Sequence, residues 1–219
     1  MTYQFAKRCT DLLISFVTLI FFSPIFLFIA IIVKLNSVGP TLYKGERTGI
    51  NGSVFYILKF RTMVADAEKK GGFSTALNDP RFTPIGRILR KYKLDELPQF
   101  LNVLKGEMSL VGPRPQVKFY TDKYKNDDKL IISVRPGITD YASLYFVDMD
   151  STLGTGDVDT RYIREIEPLK NWLRLMYVKE KSFFIDIRIL IETAFKLFGV
   201  NNATGLNVVS KAENFVTIK

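Results

Sequence analysis

The longest apolar stretch of the chain lies near its N-terminus, where residues 12–33 carry no charge between Asp11 and Lys34. A helix of these 22 residues would be about 33 Å long, close to the ~30 Å hydrocarbon core of a bilayer. Apolar side chains occupy every face of this helix instead of a single stripe. The pattern therefore favours a membrane segment over the alternative, a helix buried in the protein core.

A proline interrupts this stretch at its middle. Pro24, preceded by Ser23, removes an intrahelical hydrogen bond and leaves two arms of about 15 Å, each reaching half the depth of a membrane. Both flanks are basic, with Lys7 and Arg8 before the segment and Lys34 after it. Because basic flanks stay on the cytoplasmic side, a straight spanning helix would export one of them. The pattern predicts a re-entrant helical hairpin.

A β-hairpin is predicted over Thr41–Met63, with Asn51-Gly52 as its two-residue turn. Alternation along the second strand places Lys59 and Arg61 on one face, so that two cations lie side by side. Two interpretations remain open at this point. The cations form either a phosphate clamp or the solvated charges of an edge strand.

Four later segments have helical periodicity. Ile85–Lys93 is amphipathic and basic, which suits a membrane surface or a core-packed helix with a solvated side. The other three are a short helix within Ala65–Arg81 that ends in a loop, a helix over Pro98–Lys105, and a helix over Arg161–Phe198 whose apolar spacing favours packing. An acidic loop is predicted over 148–160, where it would contact substrate, and a tail after residue 200.

Asp95 and Glu96 lie directly before the helix that Pro98 begins. Unpaired backbone N–H groups at a helix start suit carboxylates and phosphates together. Arg114 follows in a proline-rich loop that should hold it rigidly, and Arg135 begins a predicted Pro-Gly turn. Adjacent acids carry no information by themselves, because the second such pair at 127–128 is an ordinary surface feature of a chain with 22 acidic residues.

Composition narrows the chemistry. The chain has 219 residues, 47% of them hydrophobic, which is enough for one compact domain, and a net charge of +9 that points to anionic partners. Nucleic acid, anionic lipid and phosphorylated substrates all fit that charge. No histidine is present, so chemistry must rest on carboxylates, cations, hydroxyls or the single thiol of Cys9. One cysteine excludes an internal disulfide and favours a reducing compartment.

Five motifs, kept in order and spacing over roughly residues 3 to 200, closely resemble the bacterial sugar transferase family of small monotopic phosphoglycosyl transferases. They are Lys59–Met63 (KFRTM), Leu94–Gln99 (LDELPQ), Asn102–Gly106 (NVLKG), Met108–Pro115 (MSLVGPRP) and Arg135–Thr139 (RPGIT). After the last motif many members continue with Gly-Trp and a Gln-Val-Asn run. This chain has Asp140-Tyr-Ala-Ser-Leu144 instead, which leaves the identity of the sugar open.

The resemblance implies a ping-pong reaction in which Asp95 attacks a UDP-sugar, releases UMP and passes the phosphosugar to polyprenyl (undecaprenyl) phosphate. It implies Mg²⁺ as cofactor, Glu96 as a metal ligand or proton-handling acid, and Asp95 as a further metal ligand. Lys59, Arg61, Arg114 and Arg135 match basic positions that grip phosphates. Ser23-Pro24 matches the break of the family's re-entrant helix.

These observations together predict a mostly helical α+β fold. It would combine a re-entrant membrane hairpin (residues 1–36), a small β-hairpin and amphipathic interfacial helices around a compact catalytic core (37–200), and a tail (201–219). The expected location is the cytoplasmic face of the bacterial inner membrane, with bilayer lipid as a partner, no nucleic acid, and a homodimer left open. The alternatives are a membrane-tethered nucleic-acid- or anion-binding protein without catalysis, and a glycosyltransferase that releases UDP.

Overall fold

The computed structural model of the chain describes residues 2–67, 79–146, 158–197, 199–200 and 203–218. It is mostly helical with two small sheets, as predicted for an α+β chain. The helices are α1 (Tyr3–Phe21), α2 (Ser23–Asn36), α3 (Pro84–Lys91), α4 (Gln99–Lys105), α5 (Lys118–Thr121), α6 (Tyr141–Tyr145), α7 (Val158–Arg161), α8 (Glu167–Glu180), α9 (Phe183–Leu197) and α10 (Val208–Ile218). The strands are β1 (Leu42–Thr48), β2 (Val54–Phe60), β3 (Ser109–Val111) and β4 (Gly137–Thr139).

The apolar N-terminal segment forms two helices that bend by 63° where they meet. Pro24 lies in the first turn of α2, where its missing N–H leaves no helical hydrogen bond unmade. The Ser23 hydroxyl donates to the Ile20 carbonyl over 2.8 Å and so pairs one of the last carbonyls of α1. Within the described ranges, no single helix has the length and hydropathy to cross a bilayer, whereas the bent pair meets both criteria together.

The first three turns of α1 are fastened to the rest of the protein by charged side chains. Lys7 forms an ion pair of 2.8 Å with Asp186 of α9. Arg8 donates to two carbonyls at the C-terminal end of α4, and Asp11 accepts the Leu110 N–H over 3.0 Å. The first part of α1 is therefore anchored to the folded core, and many apolar side chains further along the helix are exposed.

The predicted β-hairpin is confirmed, but its connection is longer than predicted. β1 and β2 are antiparallel, and Thr48 pairs with Val54, so five residues join the strands instead of two. Asn51 and Gly52 have the positive φ values of 53° and 79° that favour this dipeptide in turns. They lie in a 3-10 turn that the Gly49 N–H closes by donating to the Ser53 carbonyl.

A second sheet replaces the Pro-Gly turn that the sequence predicts at 135–139. β3 and β4 are parallel, with Ser109 opposite Gly137, and the chain there is extended. A Cβ atom on Gly137 would lie 2.1 Å from the Gly112 nitrogen. The glycine therefore permits a close backbone approach between the two loops, and this is why the turn prediction was wrong.

The helix predicted over Arg161–Phe198 is interrupted, because α8 ends at Glu180 and α9 begins at Phe183. A π-helical segment over Tyr162–Ile166 joins α7 to α8. The apolar residues at helical spacing in α9, among them Phe184, Ile187 and Leu190, predict a buried face that differs from the observed one. Asp186, Ile189 and Glu192 face the interior, while Phe184 of the apolar face is 81% exposed. Hydrogen bonds from other parts of the chain satisfy both buried carboxylates, which the helical spacing alone does not reveal.

The C-terminal segment that the sequence predicts as a tail contains α10, which packs on the main core through the buried side chains of Val208 and Ala212. The short helix predicted within 65–81 and most of the acidic loop predicted at 148–160 lie outside the described residues. The main core joins β2, β3, α4, α6, α8, α9 and α10. Its most deeply buried apolar members are Ile57, Val103, Met108, Val111, Tyr141, Ala142, Leu144, Leu173, Tyr177 and Ile189.

Candidate active site

Asp95 and Glu96 lie in a 3-10 turn, Leu94–Glu96, between α3 and α4. The turn begins after Lys93, whose left-handed φ of 57° reverses the chain at a cost that an ordinary residue bears only where its surroundings enforce it. α4 starts at Gln99 and has seven residues, so the turn itself positions both acids. The pair was predicted to lie directly before a helix. The structure confirms this position and places both acids in a 3-10 turn that precedes α4.

The Glu96 carboxylate is held between two cations. Lys59 of β2 donates to Oε1 over 2.8 Å, and the Arg114 guanidinium donates to both oxygens, with Nη1 3.0 Å from Oε2. The Glu96 side chain is only 15% exposed. A two-point contact of arginine with a carboxylate fixes the orientation of both groups as well as their distance.

Asp95 is buried differently. The residue is 4% exposed, and within the described part of the chain its Oδ1 has no hydrogen-bond partner. A buried carboxylate oxygen without a partner is costly, so such an atom marks a group that the fold keeps for another purpose. Burial raises the pKa of Asp95; Lys59 opposes this shift and the charge on Glu96 adds to it.

The two neighbouring acids are therefore driven apart in pKa. Burial acts to raise the pKa of Glu96 as well, but Arg114 and Lys59 outweigh it and hold that pKa well below its usual range. Burial lowers the pKa of Lys59, against the attraction of Glu96. Opposite shifts in adjacent carboxyl groups are typical of sites that assign them different roles.

Asn102 connects the acidic turn to the strand that carries Lys59. Its side chain is fully buried in α4, accepts the Leu58 N–H over 2.9 Å and donates to the Tyr56 carbonyl over 2.8 Å. These bonds fix α4 against β2 and so set the distance between Lys59 and the acids. An asparagine between the apolar residues Leu101 and Val103, in the middle of a short helix, was the available sequence signal for this contact.

The structure brings two of the four predicted phosphate-binding cations, Lys59 and Arg114, to the acidic pair. β2 ends before Arg61, whose guanidinium turns to the C-terminal end of α2 and donates to the carbonyls of Ser37 and Val38 over 2.6 and 3.0 Å. Lys59 and Arg61 thus have different partners. Arg135 donates to the Gly106 carbonyl over 3.1 Å and is exposed.

Asp95 fits a divalent cation better than Glu96 does. The described residues include no cluster of three or more potential metal ligands. Oδ1 of Asp95 is without a partner, whereas both oxygens of Glu96 are engaged by Lys59 and Arg114. Magnesium needs one or two protein carboxylates when a substrate supplies phosphate oxygens. The residues present therefore suit Mg²⁺ that binds together with a phosphorylated substrate.

The sequence profile of one family, described as bacterial sugar transferase, matches residues 2–200, more than nine tenths of the chain. The chain belongs to the bacterial sugar transferase family. The match includes the acidic turn, its two cations and the bent N-terminal helices, so the geometry described above is the geometry of a family member. The expected resemblance is thereby confirmed.

Several curated relatives of this bacterial sugar transferase have names that state an activity. The chain is 36% identical over 197 residues to a UDP-N-acetylgalactosamine-undecaprenyl-phosphate N-acetylgalactosaminephosphotransferase of Aeromonas hydrophila, covering 87% of the chain and 43% of the relative. It is 36% identical over 200 residues to a UDP-glucose:undecaprenyl-phosphate glucose-1-phosphate transferase of Escherichia coli K12, covering 90% and 41%. It is 37% identical over 205 residues to the exopolysaccharide production protein ExoY of Rhizobium meliloti, covering 86% and 83%.

The chain spans about four tenths of the length of the first two relatives. It spans more than four fifths of ExoY. The shared part contains the acidic turn in each comparison that covers most of this chain. The family is thus established over residues 2–200.

Proposed function

We propose that this protein transfers a sugar 1-phosphate from a UDP-sugar to undecaprenyl phosphate and releases UMP. The observation that carries the proposal is the buried Oδ1 of Asp95, which lacks a partner within the described residues and lies beside a Glu96 neutralised by two cations. The names of the relatives from Aeromonas hydrophila and Escherichia coli state transfer between a UDP-sugar and undecaprenyl phosphate, which supports the same substrate classes here.

The chemistry proceeds in two displacements at phosphorus. Asp95 Oδ1 attacks the β-phosphorus of the UDP-sugar, forming an aspartyl–phosphate bond as the bond to the UMP oxygen breaks. The phosphate oxygen of undecaprenyl phosphate then attacks the same phosphorus, and the carboxylate leaves unchanged. Two steps at one carboxylate avoid a direct encounter between two anionic substrates. Asp95 reacts as the anion, so its raised pKa places the acidic limb of the rate above the usual range of a carboxyl group.

The other residues hold the charges in place. Arg114 and Lys59 keep Glu96 ionised and supply positive potential beside the attacked phosphate. Mg²⁺ would be held by the Asp95 carboxylate through the oxygen that does not attack, because both oxygens of Glu96 are engaged by Lys59 and Arg114. The ion would neutralise the charge of the diphosphate. Arg61 and Arg135 belong to this proposal only through their family motifs, since their contacts lie away from the acidic turn.

Identification of the released nucleotide tests the reaction. The purified protein, given a panel of UDP-sugars with Mg²⁺ and undecaprenyl phosphate, is expected to release UMP, which chromatography separates from UDP. Release of UDP instead would identify a glycosyltransferase and overturn the proposal. A second comparison with Ca²⁺ in place of Mg²⁺ should abolish release, because the larger ion does not enforce octahedral geometry on the phosphate oxygens.

We further propose that α1 and α2 enter the bilayer from the cytoplasmic side of the inner membrane and return to it. Their exposed apolar side chains, the bend at Ser23-Pro24 and the ion pair of Lys7 with the core support this placement. With the start of α1 fastened to the core, both ends of the hairpin and the acidic turn share one side of the membrane.

Cys9 provides a direct probe of this topology. It is the only cysteine of the chain and is exposed near the start of α1. We expect an impermeant maleimide to leave Cys9 unlabelled in intact spheroplasts and to label it in inside-out vesicles. The Cys9→Ser variant gives the background signal. Labelling of Cys9 in spheroplasts would place the N-terminal flank outside and exclude the re-entrant arrangement.

A further inference from the structure

Arg114 lies between two prolines, so its loop has few backbone N–H groups with which to form hydrogen bonds. Pro113 and Pro115 have no backbone N–H, so Arg114 carries the only backbone donor of these three residues. That N–H donates to Oδ2 of Asp140 over 3.1 Å. On the acceptor side, the Pro113 carbonyl takes the Gly137 N–H over 3.0 Å. The loop is thus held to β4 and to the residue that follows it.

Asp140 is fully buried at the junction of β4 and α6. Its Oδ1 accepts the Ser143 N–H over 2.7 Å and caps α6, a task that serine, threonine or asparagine performs as well. Its Oδ2 is used for Arg114. A hydroxyl or amide side chain has a single acceptor oxygen, so among these capping residues only a carboxylate offers one acceptor atom to each of the two N–H groups.

The cations around Asp140 also indicate that it does more than cap α6. Asp140 attracts the positive charges of three residues and so favours their protonated forms. These are Arg114 of the proline loop, and Lys170 and Arg174 of α8. Burial of a carboxylate costs free energy that only hydrogen bonds and nearby cations offset. A cap alone would not require that cost, because an uncharged residue would suffice.

We infer that Asp140 is a positioning residue, whose carboxylate fixes the backbone of Arg114 so that its guanidinium meets both oxygens of Glu96. The inference rests on the proposed transfer of a sugar phosphate. It adds to that proposal a residue outside the acidic turn, 44 positions after Glu96. Asp140 acts through Arg114 and does not touch the reacting atoms.

Two variants of Asp140 separate the cap from the contact with Arg114. Asp140→Ser keeps one acceptor for α6 and loses the bond to Arg114, and Asp140→Asn presents a donor to one of the two N–H groups. We expect each to slow UMP release at least about 10-fold, because misplacement of a catalytic group by ~1 Å can cost up to about 100-fold. The loss of Arg114 from its position should also move the acidic limb of the rate to higher pH, since that cation lowers the pKa of both Asp95 and Glu96.

Ala142→Gly is the matched control, because it weakens the same helix and removes neither bond of Asp140. It should lower the melting temperature and leave the pH profile of wild type. A double-mutant cycle completes the test: in an Arg114→Met background, Asp140→Ser should have no further effect on the rate. The inference is overturned if the pH profiles of the Asp140 variants match that of Ala142→Gly, or if the rate effects of Asp140→Ser and Arg114→Met add in full. Failure of the wild-type protein to release UMP would instead count against the proposed function.

Discussion

Asp95→Asn is expected to lower the rate of UMP release by about 10⁴-fold or more, the size of effect seen when a nucleophile is removed. The same substitution should raise the free energy of unfolding at pH 7 by about 1 kcal/mol. In wild type the buried carboxylate of Asp95 has an oxygen without a partner, and the substitution replaces this charged group with a neutral amide. The folded state raises the pKa of Asp95, so this carboxyl group destabilises the fold increasingly as pH rises through the folded pKa. We therefore expect an inactive variant whose fold is more stable than that of wild type.

Two measurements check that expectation. Without undecaprenyl phosphate, wild type incubated with UDP-sugar and Mg²⁺ should gain the mass of one phosphosugar, and Asp95→Asn should gain nothing. Chemical denaturation in detergent compares the stabilities. Asp127→Asn, in the other adjacent acidic pair, is the control and should behave as wild type, since Asp127 is an exposed partner of Lys179. Normal UMP release by Asp95→Asn would contradict the covalent mechanism.

Glu96→Gln is expected to destabilise the fold by about 1–3 kcal/mol at pH 7. It leaves Lys59 and Arg114 facing each other without the anion between them, and breaking a buried ion pair costs about 3–5 kcal/mol. We place the effect lower because the Arg114 side chain is 32% exposed and solvent screens part of its charge.

The pH dependence of this destabilisation shows whether it comes from the lost charge of Glu96. The folded state holds the pKa of Glu96 below the unfolded value of about 4.3, so the carboxylate stabilises the fold above that value. Its contribution disappears as pH falls through the folded pKa. The difference between wild type and Glu96→Gln should therefore be constant from about pH 5 to 7 and shrink below about pH 4. Glu165→Gln, which breaks an exposed pair with Arg161, should cost less than about 0.5 kcal/mol at every pH. Equal stability of Glu96→Gln and wild type at pH 7 would show that the two cations do not stabilise Glu96.

Local sequence patterns predicted those parts of the fold in which residues near each other in the chain decide the structure. The strands β1 and β2 follow from alternation and from Asn51-Gly52, and the start of α4 follows from Pro98 to within one residue. The bend at Ser23-Pro24 likewise follows from proline, which ends α1 and lies in the first turn of α2. The acidic pair was identified through its motif and its place before a helix.

Such local patterns do not predict contacts between residues that are distant in sequence. Nothing near Arg61 in sequence shows that its guanidinium binds carbonyls at the end of α2, 23 and 24 residues earlier. The buried face of α9 was mispredicted for the same reason, because Asp186 becomes a core residue only through hydrogen bonds from Tyr3, Lys7 and Tyr177. In the sequence, Asp140 is only a departure from the family motif. The fold shows that it accepts the N–H groups of Arg114 and Ser143.

In the membrane placement proposed above, the docking of α1 on the core sets the distance between the bilayer and the acidic turn. Asp11 is held by Leu110, and the bend follows about eleven residues later, roughly 16 Å further along the axis. Adding or removing one residue between them would shift the tip by about 1.5 Å and also rotate it by about 100°. The exposed apolar side chains of α2 would then point in a different direction relative to the core. The length of this arm therefore sets orientation as well as depth, and evolution can vary it freely only in steps close to whole helical turns.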